Sequence, residues 1–325
     1  MKRPMLLSLL VILLLVLCSC SVISPIEKAE TTAAPGLSME VYPAAASTTN
    51  VDDVIATLYF RYLDQPMLAA ESRVITVDRD KSFELILIEE LLAGPSASHV
   101  DLQKLFSDSV RVISASARNG VLYVTFNDAL LDNDSIPSDW QSRSDWADEA
   151  PLLRKLALQS VVASITESMP YTGVQFFVSQ SADSTTSTRL ENTYFLTGQG
   201  GVSDPLLRNE SLLLTPHNTA QCILQAWQQR DYKTLYLYTA MQSSDESRPI
   251  YDIYHNTVDA CSTLSEYSVS SGSISQSGTH ATLTLTMTTL REGLSTDTQA
   301  YPLQLQLENG VWKISYSALL ELISR

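Results

Sequence analysis

The thiol at Cys20 has surroundings that define a reaction. Lys2 and Arg3 precede Met5 to Leu17, a run whose only polar residue is Ser8. The run ends Leu17-Cys18-Ser19-Cys20, the pattern of a bacterial lipobox. There the thiol accepts diacylglycerol, and small flanking residues let a signal peptidase close on the backbone. Cys18 fits less well, because Leu17 occupies the position before it. The apolar run is shorter than the ~20 residues needed to span a bilayer. It fits a secretory h-region, with an uncleaved membrane anchor as the other reading, kept open by apolar residues as far as Ile23. Both readings place the rest of the chain outside the cytoplasmic membrane.

Other chemistry is harder to find. There is no G-x-S-x-G, H-E-x-x-H or C-x-x-C and no phosphate-cradling glycine loop. His99, His217, His255 and His280 lack metal-ligand spacing, so no cofactor or metal is expected. Among 325 residues, 21 are basic and 36 acidic, a net charge of −15 that argues against nucleic-acid binding. Loss of Lys2 and Arg3 with the signal takes the charge to −17, which anionic lipid would repel, so attachment falls to the anchor. Cys222 and Cys261 read as buried thiols or as a disulfide.

The elements that would position these groups divide the chain into five parts. Residues 1–20 are the export signal, and 21–50, rich in Ser, Thr, Ala and Pro, a flexible tether. A first domain covers 51–198, a linker 199–211 and a second domain 212–325. In the first, Val54 to Tyr62 and Arg73 to Val77 read as strands, and Ser82 caps a helix stopped by Gly94-Pro95. Val110 to Ala117 and Val121 to Asn127 flank Asn119-Gly120, a hairpin signal. A helix from about Glu149 to Pro170 and a strand at Val174 to Val178 close an α+β sandwich.

In four blocks this half resembles the GerMN domain of spore-germination and sporulation lipoproteins. They are Leu58-Tyr59-Phe60; Glu71-Ser72-Arg73; the helix end Glu89-Glu90-Leu91-Leu92-Ala93-Gly94-Pro95-Ser96; and the hairpin strand from Gly120 to Asn127 with the later Gly173 to Val178. The likeness covers about residues 54 to 180 and implies a non-catalytic domain of Gram-positive envelope proteins. The motif residues Tyr59, Phe60, Glu71, Arg73, Gly94 and Pro95 have structural readings, with Glu71 and Arg73 an ion pair rather than an acid and its partner. Residues 131 to 150 depart from the pattern, with Trp140 and Trp146 among five aspartates. The two rings read either as a partner contact or as a lid folded over the core.

In the second half, Thr215-Pro216 opens a helix through Trp227, and Asp231-Tyr232 opens another. A third lies within Ile250 to Leu264, and alternating strands follow at 282–287 and 301–307, with a turn at Asn309-Gly310. Helices before a curved antiparallel sheet, the stretch Ala226 to Tyr232 and the close Asn309-Gly310-Val311-Trp312-Lys313-Ile314 resemble the nuclear-transport-factor-two-like cone. That resemblance implies a pocket, with Tyr251, Tyr254 and His255 as candidates beside Asp252 and Asp259; a solvated helix face is the plainer reading.

Together these features predict a non-enzymatic, lipid-anchored scaffold on the outer face of the cytoplasmic membrane, meeting other envelope or membrane proteins and linked to sporulation or germination. The alternative is a sensor holding a small ligand or cell-wall fragment in the C-terminal cone.

Overall fold

The longest unbroken strand pairing begins where the tether is expected to end. A computed structural model describes residues 51–78, 80–132, 136–179, 186–243 and 247–325. The export signal, Cys20 and the tether lie outside the described residues. β1 (Val51–Tyr62) pairs antiparallel with β2 (Leu68–Asp78) from Val51↔Asp78 to Arg61↔Leu68. β3 (Leu102–Gln103) covers only Arg61 and Tyr62 on the other edge of β1. The outward amide of Tyr59 is met instead by Ser164 Oγ at 3.0 Å. That hydroxyl comes from a helix, so a side chain closes the ladder where no strand does.

α1 (Phe83–Ala93) starts as its cap predicts, with Ser82 Oγ accepting from the Leu85 amide. β4 (Val112–Arg118) and β5 (Val121–Asn127) form the expected hairpin, with Asn119 and Gly120 at φ 53° and 77°. α2 (Glu149–Ser168) then crosses over, so that β6 (Gly173–Ser179) lies parallel to β5. The far edge of β6 carries two short strands in succession, β7 (Ser187–Arg189) and β8 (Leu206–Leu207). β8 belongs to the stretch expected to be a linker. That stretch is stitched into the sheet, and Leu213 just beyond it bridges to Leu68.

The C-terminal half opens with α3 (Pro216–Gln229), α4 (Tyr232–Leu237) and α5 (Tyr251–Asp259). Thr215 and Asp231 cap the first two through their side-chain oxygens, and Pro216 sits at the first helical position. β9 (Thr263–Ile274), β10 (His280–Arg291), β11 (Leu294–Glu308) and β12 (Val311–Lys313) form one antiparallel sheet in the order β12-β11-β10-β9. Register breaks in β10 against both neighbours add twist, and the sheet curls into a half-barrel. Ala281, Leu283, Leu285 and Met287 line its concave side, while the intervening threonines face out. α6 (Tyr316–Ile323), capped by Ser315, closes the chain where an extended strand end was expected.

The described residues form one compact unit with a core cluster running from Ala56 to Ile323. The halves meet along a seam. Tyr62 Oη donates to Leu237 O at 2.9 Å, and its ring lies 5.6 Å from that of Tyr238. Lys313, with a side chain 3% exposed, reaches Glu308 at 3.1 Å and Asp101 at 3.9 Å. A buried ammonium persists only when so paired. The Asn309-Gly310 turn presses on β2, so that a Cβ at Gly310 would lie 2.0 Å from Ala70 O.

That contact makes a sharp test. Gly278 and Gly310 both have positive φ, but nothing lies within 4 Å of a Cβ at Gly278. Gly278→Ala should cost about 1–2 kcal/mol from backbone strain alone. Gly310→Ala should cost about 1–3 kcal/mol more, because backbone must move. Urea unfolding of the two variants measures the difference.

Candidate functional site

The residues singled out in the first half converge on one clamp. Glu71 and Arg73 project from the same face of β2, two residues apart. Arg73 Nε donates to Glu71 Oε1 at 2.9 Å, and Nη1 reaches Glu90 Oε2 on α1 at 2.9 Å. Its Nη2 donates to Gly94 O at 2.9 Å, beyond the C-terminus of α1, where a cation also suits the helix dipole. Glu71, 1% exposed, accepts the Ser96 amide on its second oxygen at 3.1 Å. Gly94 takes φ 100°, and its Cβ position would meet the Lys104 side chain at 3.2 Å. The ion pair thus fastens the turn through Gly94 and Pro95 to the strand. Phe60, 1% exposed, packs beneath, with the Arg73 guanidinium 5.9 Å from its ring centroid.

A serine, a histidine and a carboxylate meet here, but not in the arrangement of nucleophilic catalysis. Ser96 Oγ lies 2.9 Å from His99 Nδ1, and Glu71 Oε2 lies 4.0 Å from the same nitrogen. A catalytic histidine needs its acid and its nucleophile on opposite nitrogens. Both face Nδ1, and Glu71 is already engaged by Arg73 and Ser96. The cluster holds a turn in place.

Tyr59 faces the other side of β1. Its hydroxyl donates to Glu167 at 3.1 Å and accepts from Arg208, which also pairs with Glu167 at 2.7 Å. Burial, and next the Glu167 charge, push the Tyr59 phenol up to about 12. Burial also raises Tyr62 and Tyr254. Arg208 comes from the stretch after β8, so Tyr59 joins the expected linker to α2.

Trp140 opens a helical turn, Trp140–Ser142, and Trp146 closes the next turn by donating its amide to Arg143 O. Both indoles are half-buried. The segment leads out from residues 130–132, whose carbonyls all accept from the buried guanidinium of Arg154. Arg154 also stacks over Tyr194 at 4.6 Å. Sequence reasoning passed over Arg154 and gave Glu90 and Ser96 no role beyond the helix-end motif, because each acts on a partner distant in the chain.

The C-terminal candidates divide between core and surface, with Tyr254 buried and Tyr251 and His255 half-buried. Tyr254 is fully buried, its hydroxyl 2.9 Å from Thr239 Oγ1. Its ring meets Tyr236 at 4.9 Å and Tyr316 at 5.7 Å. Tyr251 and His255 continue the series outward, His255 edge-on to Tyr232 at 4.9 Å. These rings pack against one another from the core outward. A cavity of about 290 Å³ lies at the start of α3. Thr215, Pro216 and His217 form one wall, residues 272–274 of β9 the other, and Ala281 and Leu283 the floor. Cys222 and Cys261 are free thiols, and burial raises both.

Two measurements test this site. Glu71→Gln and Arg73→Met should each cost about 3 kcal/mol in denaturant unfolding, since each strands a buried polar partner. The double variant should cost less than their sum. The raised phenols set the sign at high pH: the unfolded chain ionises its tyrosines near 10, while Tyr59 stays protonated until about 12. Stability should therefore fall as pH rises from 10 to 12, with the buried tyrosines ionising only on unfolding, followed by phenolate absorbance.

Residues 57–182 match the family model described as "Germane: Sporulation and spore germination". The match links the chain to sporulation and germination. No curated protein matches the chain. Among solved structures, the tandem GerMN domains of the sporulation protein GerM from Bacillus subtilis share 16% identity, with 52% of this chain and 48% of that one covered and a TM-score of 0.31. The chain thus spans about half the length of that structure. A crystal structure described as "Putative Lipoprotein from Clostridium perfringens" shares 20% identity, covering 51% of this chain and 93% of that one, with a TM-score of 0.26.

Proposed function

We propose, taking residues 57–182 as a GerMN-type domain, that this chain is a non-enzymatic scaffold of a Gram-positive envelope. It serves sporulation or germination, is lipid-anchored through Cys20, and contacts other envelope proteins through the segment bearing Trp140 and Trp146. The Germane match carries the reading. The clamp supports it, because Glu71 and Arg73 spend their charges on each other, on Glu90 and on the backbone at Gly94 and Ser96. A carboxylate so engaged is a poor general base.

The half-buried indoles suit a docking role. Large aromatic surface held at a fixed place loses little entropy on binding, and such residues dominate protein interfaces. Arg154 supplies the fixed place by gathering the carbonyls that precede the segment. The C-terminal half, read as a nuclear-transport-factor-two-like fold, braces the domain through the seam at Lys313 and Gly310. The lipobox-like Leu17-Cys18-Ser19-Cys20 supports a position outside the membrane, and among the described residues no helix is long and apolar enough to cross one.

Two variants test this reading in sporulating cells. Cys20→Ala should abolish fatty-acid labelling and release the chain from the membrane fraction; retention without labelling would instead mark an uncleaved anchor. Trp140→Ala with Trp146→Ala should remove crosslinks to envelope proteins with less than about 1 kcal/mol lost in stability. Unchanged crosslinking would overturn the docking role.

A further inference from the structure

One strand edge in the N-terminal half is bare. β2 ends its sheet, and its ladder to β1 has no register break. The Tyr59 amide points away from β2, toward Ser164, so the backbone of its partner Ala70 points outward, and with it Ser72, Val74 and Thr76. Leu68 O accepts from the Leu214 amide, and Ala70 O lies under Gly310. Among the described residues, nothing pairs with the outward backbone of Ser72, Val74 and Thr76. Other edges are guarded. β11 beyond β12 carries Pro302 and a left-handed Ala300 (φ 53°), and Gln228 Nε2 donates to Ser265 O on β9. β2 has no proline, and its mid-strand charges, Glu71 and Arg73, are taken up by the clamp.

The chain holds a segment of matching length and pattern. Leu37, Met39 and Val41 alternate with Ser38, Glu40 and Tyr42, between Pro35-Gly36 and Pro43. Six extended residues cover about 20 Å, the distance from Ser72 to Asp78. Val51 stands opposite Asp78, so the connection has only to cross one strand, about 10 Å, and residues 43–50 reach up to about 26 Å. With Met39 beside Val74, its apolar residues extend a face that holds Ile55 and Val74, the latter 63% exposed. The charges agree with this placement. Asp53 and Asp78 share the Val74 face, where Asp53 accepts from Thr76 Oγ1 at 2.9 Å and Asp78 from the Asp80 amide at 3.0 Å. Glu40 falls on the opposite face, that of Arg73, away from both carboxylates. Asp52 is also on that face but on β1, two strand spacings off. A second copy fits worse, because two β2 edges paired antiparallel about Val74 set Asp78 against the other copy's Asn309-Gly310 turn.

We propose that residues 37–42 of the same chain add to the free edge of β2 as a parallel strand, with Met39 beside Val74. In that register the amides of Ser38 and Glu40 donate to Ser72 O and Val74 O, and the Val74 amide donates to Ser38 O. The pairing is independent of the Trp140 segment and of the Germane match. Its consequence rests on the lipid anchor proposed above. The tether to Cys20 shortens to residues 21–36, and its r.m.s. reach falls from about 30 Å to about 22 Å. The β2 edge then faces the membrane end of the chain, and the docked strand sets how far the domain stands from the lipid.

Cysteine pairs in full-length chains, oxidised in membranes and mapped by mass, test it. Val74 is exposed, so Val74→Cys spares the fold. Met39→Cys with Val74→Cys should give an internal disulfide, which needs the two Cα atoms within about 7 Å. Ser47→Cys with Val74→Cys closes a shorter loop and would link at least as well if residues 37–42 did not dock. The expected yield is about tenfold higher for Met39 than for Ser47, and also higher than for Glu40→Cys on the opposite face. Amide exchange gives a second reading. The Val74 amide should be slowed in the unsubstituted chain, and Ser38→Pro with Glu40→Pro should speed it about tenfold or more. The Ile75 amide, which faces β1, should keep its protection. Equal linking of Met39 and Ser47, or a Val74 amide that exchanges at the free-chain rate, overturns the proposal. So does a disulfide between chains in place of the internal one, which would make a second copy the occupant.

Discussion

The burial of Lys313 is the constraint on which the rest of the structure hangs. An ammonium 3% exposed has to be met by carboxylates, and they come from both halves: Glu308 from the neighbouring strand and Asp101 from the turn before β3. Once these are in place, Tyr62 stacks against Tyr238 and the Asn309-Gly310 turn lies against the backbone of Ala70. A swing of the curled sheet on β1 and β2 would take Asp101 from Lys313 and leave it with Glu308 alone. The chain between the halves is fastened as well, Leu206 and Leu207 pairing with β6 and Leu213 bridging to Leu68.

The clamp at Glu71 and Arg73 works on the same logic at shorter range. A polar pair placed under a helix end gives the turn at Gly94-Pro95 one position relative to β2, and β2 is the strand that the C-terminal half grips. The motif residues of the Germane match therefore serve architecture, and chemistry at this site would have to displace an arginine with four polar contacts of its own. Arg154 plays a similar part on the other side of the domain, gathering the carbonyls of residues 130–132.

Local features were legible in the residues alone. Ser82, Thr215 and Asp231 cap the helices they precede, and both Asn-Gly pairs turn hairpins, because each effect acts within a few residues. The alternation of Leu and Thr along β10 announced its two faces. β7 and β8 were not legible: they are two or three residues long and gain their pairing only from β6. Nor was α6, whose cap at Ser315 follows a strand without a break. The packing of the tyrosine cluster was not legible for a similar reason. Tyr251, Tyr254 and His255 look polar in sequence, but a tyrosine with one hydrogen-bond partner packs as a large apolar ring. The cavity at the start of α3 lies beside a bulge at Gly272, which the sequence marks only as one glycine among serines.

Native-state hydrogen exchange tests the central claim, that the seam makes one cooperative unit which holds its interaction surfaces rigidly. The slowest amides of β1, such as Phe60, and those of the C-terminal core, such as Leu285, should exchange with the same opening free energy and shift together in Gly310→Ala. If the C-terminal amides kept their protection while those of β1 lost theirs, the halves would be independent folds and the seam a mere contact.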